Sequence, residues 1–175
     1  LTAVGKLNTY ALFAETAYRL IGPTGRAGIV VPTGIATDDS TKAFFGEVVE
    51  KRRLVSLYDF DNRDRLFPAV ISLMKFSLLT IGHASNAEFA FFCSRVEHLQ
   101  DRRRRLRLSA EDFRLINPNT RTCPIFRSEY DAELTKKIYR NVPVLIDETK
   151  PAQEGNPWGL TFSQGLFNMT SASHL

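Results

Sequence analysis

The chain is poor in cysteine, histidine, methionine and tryptophan, and it has no long apolar run. Two cysteines, Cys93 and Cys123, cannot build the disulfide framework that holds small secreted domains together. They read as buried free thiols, which suits a reducing, cytoplasmic setting. His83, His98 and His174 share no spacing with the cysteines, which excludes a zinc pattern. No Gly-x-Ser-x-Gly elbow occurs, and no nucleophile sits beside a base. Without a run of about 18 apolar residues, no membrane-spanning helix is expected. The opening, Leu1-Thr2-Ala3-Val4-Gly5-Lys6, lacks the basic start and apolar stretch of a signal peptide. It also lacks Met, so the chain is expected to begin inside a longer protein.

What is present suffices for a core. The 175 residues include 13 Phe, and 24% are charged. That length corresponds to one domain or one and a half. The net charge of +4 is mild but clumped, with Arg102, Arg103, Arg104, Arg105 and Arg107 almost together. Such a clump suits phosphates, or it is a solvated loop.

Apolar residues from Leu7 to Ile21 recur at helical spacing and predict a helix over Asn8–Leu20, stopped by Gly22-Pro23-Thr24-Gly25. Arg26–Val31 reads as a strand, and its unbroken apolar run suits a parallel strand covered on both faces. Ser40 or Asp39 is placed to cap a helix running to Arg52, before a strand at Leu54–Tyr58. Asp59–Pro68 reads as a polar loop. Lys75–Ile81 and Glu88–Cys93 read as strands paired antiparallel, because no helix separates them. Capping boxes at Ser109–Asp112 and Ser128–Asp131 predict two more helices. Val142–Ile146 and Trp158–Phe162 read as strands flanking a Gly/Pro-rich linker, Asp147–Pro157.

Several motifs have two readings. Gly22–Gly28 is glycine-rich, but it follows a helix and opens a strand, the reverse of a phosphate-cradling loop, and it reads as a turn. Asp59, Asp61 and Asp64 suggest a cation site, yet Arg63 and Arg65 interleave with them, as in a solvated loop of local ion pairs. Glu148-Thr149-Lys150 has the form of part of a metal-dependent nuclease site, but no upstream Asp on a strand accompanies it. Asn117-Pro118-Asn119-Thr120 and Asn156-Pro157-Trp158-Gly159 each lack the second Pro of an adenine-amino methyltransferase turn and read as turns.

The order of segments carries a resemblance. Asn8-Thr9-Tyr10-Ala11-Leu12-Phe13 leads to Gly25-Arg26-Ala27-Gly28-Ile29-Val30-Val31-Pro32. A capped helix, the strand Leu54–Tyr58, Leu66-Phe67-Pro68 and Lys75-Phe76-Ser77-Leu78-Leu79-Thr80 follow. Farther on come Ile116–Thr120, Pro124–Arg127, Asp131–Leu134, Ile138-Tyr139 and a closing segment from Trp158 to Thr170. This resembles the region after the catalytic Asn-Pro-Pro-Tyr motif of adenine-N6 DNA methyltransferases, especially the large enzymes of restriction-modification and phage-defence systems.

The resemblance implies an α/β fold: part of a class I, Rossmann-like methyltransferase sheet, with a C-terminal α+β extension leading to a target-recognition region. Residues 1–95 would be the second half of the catalytic domain, 96–150 a helical, basic connection, and 151–175 a linker and the start of the next domain. It also implies a base pocket with Phe67 on the extruded adenine; the alternative for Phe67 is a core residue closing a strand end. Pro32 and Thr33 are rim candidates because they fall at the carboxyl end of their strand, where α/β sheets place ligands. Arg102 to Arg105 and Arg107 would contact double-stranded DNA. S-adenosylmethionine belongs to the parent protein, since the donor-binding turn and the Asn-Pro-Pro-Tyr turn are absent here; the isolated chain is expected to bind no cofactor and to be inactive. The remainder of the parent would be a partner, and an open sheet edge would invite a homo-oligomer. Two other classes compete: a non-catalytic DNA-binding or assembly module, and a metal-dependent nuclease fragment centred on Glu148 and Lys150.

Overall fold

The computed structural model describes residues 1–3, 5 and 7–163 of the chain. Helix α1 (Thr9–Leu20) forms where Ala11 and Ala14 share one face, and both are buried. After the Gly/Pro turn come strand β1 (Ala27–Pro32), the single-turn helix α2 (Gly34–Thr37) and helix α3 (Lys42–Glu50). Strands β2 (Leu54–Asp61), β3 (Lys75–Ile81), β4 (Ala87–Cys93) and β5 (Arg105–Leu108) follow. Helices α4 (Ala110–Ile116), α5 (Glu129–Asn141) and α6 (Ala152–Gly155) complete the described elements.

The strands form one open mixed sheet in the order β1-β3-β2-β4-β5. β3 runs antiparallel to both β1 and β2, β4 runs parallel to β2, and β5 runs antiparallel to β4. β1 and β2 therefore share a direction, with α2 and α3 in the crossover between them and β3 inserted afterwards.

Cross-strand partners point to the same face. The row Ile29, Leu79, Leu57, Phe89 and Leu106 faces the main core. Phe44, Phe45, Val48 and Val49 of α3, Ala11 and Ala14 of α1, and Phe113 and Ile116 of α4 pack in that same core. Phe113 lies 5.9 Å from both Phe45 and Phe89, ring to ring. The opposite face holds a smaller cluster of Phe60, Phe76, Ala90 and Cys93, with Tyr58, Leu78 and Leu99 against it. The result is a mixed α/β fold whose main helices gather on one face of a five-stranded sheet.

Several expectations are corrected. β1 is an antiparallel edge strand, and its burial alternates instead of being complete on both faces. Val30 is 57% exposed because no described helix covers that face of β1. β3 and β4 do not pair with each other; β2 lies between them. Ser40 and Asp39 lie in a 3-10 turn (Asp39–Thr41), and α3 starts only at Lys42. The hydroxyl of Thr41 donates instead to the carbonyls of Gly34, at 2.7 Å, and Asp38, at 3.1 Å. Val142–Ile146 and Trp158–Phe162 are not strands, since no described strand offers either a ladder. The expected linker contains α6, and the Asp147 amide donates to the Gly155 carbonyl at 2.7 Å. Residues 164–170 of the closing Trp158–Thr170 segment, and His174, lie outside the described residues.

The capping box at Ser109 and Asp112 forms in full, and Ser128 caps α5 through the Asp131 amide. Cys93 and Cys123 are both free and buried. Burial pushes the Cys93 thiol up to about 11 and raises that of Cys123 as well. No described helix is long and apolar enough to cross a membrane.

Candidate nucleic-acid interface

The carboxyl ends of β1 and β2 and the start of β3 meet at one end of the sheet. There Pro32 pairs with Phe76, and Phe76 with Phe60. Thr33 follows β1 directly. Its hydroxyl donates to Asp59 Oδ1 at 2.6 Å and lies 3.1 Å from the Ser77 hydroxyl. All three residues are buried. Asp59 therefore belongs to β2 and to a buried network, not to a solvated polar loop. Burial raises its carboxyl above the usual carboxylate range. The Thr33 hydroxyl, the nearby Lys75 charge and the Phe92 backbone amide pull the other way without cancelling the burial effect.

The turn after β2 is held by Asn62, which is fully buried. Its Nδ2 donates to the carbonyls of Phe67, at 2.9 Å, and Val70, at 2.8 Å. Its Oδ1 accepts from the Phe67 amide at 2.9 Å. One side chain thus replaces the backbone ladder that the loop lacks. The pinned Phe67 ring is 43% exposed and meets the Phe76 ring edge-on at 5.0 Å. Phe76 in turn stacks on Phe60 at 5.4 Å. Phe67 is half packing residue and half free surface.

Pro32, Thr33 and Phe67 are therefore brought to one end of the sheet, linked through Phe76 and the β1–β3–β2 ladder. Pro32 is exposed and Thr33 is buried.

The five arginines do not form one patch. Residues 102–104 make a 3-10 turn, and β5 begins at Arg105. In β5 the side chains alternate, so Leu106 and Leu108 enter the core while Arg105 and Arg107 face the other way. Arg102, Arg105 and Arg107 line a cavity of about 390 Å³ with Glu88 and Glu129. Arg105 lies 3.5 Å from Glu88, which also accepts from the Tyr58 hydroxyl at 2.5 Å. Arg103 and Arg104 instead line a groove of about 780 Å³, together with Arg63, Arg127 and Phe92. The β5 arginines share the sheet face of Phe76, and β5 stands three strand spacings from β3, about 14 Å.

The groove contains a backbone outlier. Between Tyr58–Ala90 and Phe60–Cys93, β4 spends one residue more than β2, a bulge opposite Asp59. Phe92 occupies it at φ 57, the left-handed region, which a bulky residue adopts at a cost of about 1–3 kcal/mol. Its ring is 42% exposed, with Lys75 at 5.7 Å and Arg127 at 5.6 Å from the centroid.

The other sequence candidates resolve simply. Asp61 pairs with Arg63 at 3.2 Å, and Asp64 with Arg95 at 2.7 Å. Arg95 and the Ser94 hydroxyl hold the Asp64 carboxyl below its usual range. No group of three metal-binding side chains occurs among the described residues. Lys150 pairs with Asp147 at 3.1 Å, and Glu148 is exposed. Asn119 ties its own turn to the 146–148 segment, donating to the Ile146 carbonyl and accepting from the Glu148 amide.

Sequence reasoning missed Asn62 and Phe92 as site-forming residues, and it placed Asp59 in a solvated loop of ion pairs instead of a buried network. For Phe92 a signal exists. The run Phe89-Ala90-Phe91-Phe92-Cys93 breaks two-residue alternation where the bulge falls. For Asn62 none does, since an Asn in a polar loop is ordinary.

The class these observations define is a two-layer α/β unit with an open, mixed sheet and an aromatic, arginine-flanked strand-end rim. No family model matches the chain, and no curated protein matches it. Among solved structures, it is similar to a modification subunit of a candidate type I restriction enzyme from Vibrio vulnificus YJ016. The two are 13% identical over 86% of this chain, with a TM-score of 0.41, and the match spans 30% of that subunit.

Proposed function

We propose that this chain is the base-pocket side of a site-specific adenine-N6 DNA methyltransferase from a restriction-modification system. The observation that carries the reading is the half-exposed Phe67 ring, fixed by Asn62 at the sheet end and packed on Phe76, the cross-strand partner of Pro32; Thr33 lies at the same sheet end but is buried on the other face. A flat ring on a rigid support can hold a base swung out of the duplex. The carboxyl ends of strands are also where open α/β sheets take ligands. Arg105 and Arg107, and beyond them Arg102, would track phosphates of double-stranded DNA from the same sheet face and position it without reading sequence.

The glycine-rich turn of this chain is not placed to hold S-adenosylmethionine beside the proposed base pocket: Gly22 to Gly28 lies at the opposite end of β1 from Pro32. The donor and the catalytic turn would belong to the remainder of the parent enzyme, and the isolated chain would be inactive. Among the described residues β1 pairs on one side only, and its outer edge would receive another strand, from the parent or from a second copy.

The test uses the full-length enzyme on a duplex with 2-aminopurine at the target adenine. The fluorescence rise that reports base extrusion should be lost or much reduced in Phe67→Ala and retained in Phe67→Trp. Methyl transfer should fall at least about tenfold in the alanine variant, the value of one base stack. A Phe67→Ala enzyme that flips and methylates like wild type rejects the proposal. A concentration-dependent mass measurement of the isolated chain tests the edge, and a strict monomer at all concentrations rejects the homo-oligomer.

A further inference from the structure

The left-handed backbone at Phe92 sits in the β4 bulge opposite the buried Asp59, and the Phe92 amide is among the groups that favour the Asp59 carboxylate. Glycine would adopt that backbone without strain, because it has no Cβ to clash. The fold thus explains the backbone of residue 92 but not its side chain. The ring is the one exposed side chain in the closing Phe89–Cys93 stretch of β4. It opens onto the groove lined by Arg63, Arg103, Arg104 and Arg127.

The charges there are unequal in their engagement. Asp61 pairs with Arg63, and Asp101 accepts from Nε and Nη2 of Arg103, each at 2.9 Å. Among the described residues, Arg104 and Arg127 have no ion-pair partner. Two guanidiniums without a carboxylate partner, one of them (Arg127) 5.6 Å from the centroid of the Phe92 ring, and that nearly half-exposed ring border one open groove. Guanidiniums bind phosphate, and a ring binds another flat π-surface. An acidic peptide supplies the charge but not the regular alternation of anion and flat group. A duplex supplies phosphates, but its bases are stacked inside and present no face to a ring.

We infer that the groove beside Phe92 binds an unpaired stretch of nucleic acid, with phosphates on Arg104 and Arg127 and a base stacked on the Phe92 ring. This does not rest on methyl transfer: it requires neither Phe67 nor a donor. It gives the chain a second aromatic contact, reached from the sheet end but separate from the Phe60–Phe76 cluster.

The experiment measures fluorescence anisotropy of the purified chain with a labelled oligothymidylate of about 12 nucleotides, and with a labelled duplex of the same length. Phe92→Gly removes the ring at a position where glycine is unstrained, so its melting temperature should equal or exceed that of wild type. Its affinity for the single strand should fall about tenfold, while its affinity for the duplex stays the same. Phe92→Trp should restore single-strand binding. Arg104→Ala and Arg127→Ala should each lower the slope of log affinity against log salt by about 0.7.

Equal single-strand binding by Phe92→Gly and wild type overturns the proposal. So does an equal loss on single strand and duplex, which would reduce the groove to a phosphate track. Displacement of the oligonucleotide by polyglutamate at matched charge would assign the groove to acidic peptides instead. A Phe92→Gly protein that melts below wild type overturns it too, because the ring would then be packing.

Discussion

The sharpest prediction concerns Asn62, which carries no chemistry itself but positions the residue that would. Its amide makes three bonds of 2.8–2.9 Å to the 67–70 backbone. Each such bond contributes about 0.5–1.5 kcal/mol net, so three together give about 1.5–4.5 kcal/mol. The low end applies, because the loop they hold is exposed at Ile71 and Leu73 and its freed carbonyls can reach water. Asn62→Ala should therefore lose about 2–3 kcal/mol in a urea titration with an unchanged m-value. Limited proteolysis should open the 66–74 segment first. Asn62→Asp keeps the acceptor for the Phe67 amide but turns an oxygen, instead of an NH2, toward the two carbonyls. At neutral pH it should be worse than Asn62→Ala. The deprotonated carboxylate is disfavoured there, so its folded pKa rises and stability returns as pH falls through that raised value. An Asn62→Ala loss under about 0.5 kcal/mol, with proteolysis unchanged, refutes the claim that one amide fixes the Phe67 turn.

Asp59 should make stability fall as pH rises. Its unfolded carboxyl titrates near 3.8 and its folded one above that, so within the window only the folded state keeps the proton. Asp59→Asn should flatten the fall, as read by urea titrations from pH 3 to pH 7; an unchanged slope would assign it to other groups. Ser109→Ala removes the hydroxyl half of the α4 capping box and should cost about 1 kcal/mol by the same titration. Phe113→Ala, at the centre of the Phe45–Phe89 contacts, should cost about 3–5 kcal/mol, and a loss under 1 kcal/mol would displace the core from where it is drawn. The double variant Arg102→Ala with Arg107→Ala should weaken duplex binding equally for all sequences and lower the salt slope by about 1.8.

What was legible in the sequence came from local rules. Helical spacing marked α1, the Gly/Pro turn marked its end, and Ser-x-x-Asp marked the starts of α4 and α5. The apolar run Lys75–Ile81 coincides with β3 at both ends. What was illegible depends on partners. Nothing in Lys75–Ile81 says that it inserts between β1 and β2, because an apolar strand fits any neighbour of matching pleat. Arg105–Leu108 was hidden inside a charge run, although its Arg-Leu-Arg-Leu alternation is a strand signal once noticed. The candidate site failed to read out for the same reason. Asp59, Thr33 and Ser77 are far apart in sequence, and only the ladder brings a carboxylate and two hydroxyls within bonding distance.

The one misreading with the most consequence is β1. Ile29-Val30-Val31 has the composition of a strand covered on both faces, and in the folded chain Val31 is covered while Val30 is not. Exposed apolar surface beside an unpaired strand edge costs solubility and invites association. The composition is thus matched to a covering layer that none of the described elements supplies. The same side of the sheet, covered at Phe60 and Phe76 but open at Val30, carries Pro32, the Phe76 ring that supports Phe67, and the β5 arginines. The proposed docking edge, aromatic contact and phosphate track therefore lie on one side of one sheet. That is the arrangement a base-flipping enzyme needs if this chain is one wall of its cleft. It is also why Val30, with no chemistry of its own, bears as directly on the proposed function as Phe67.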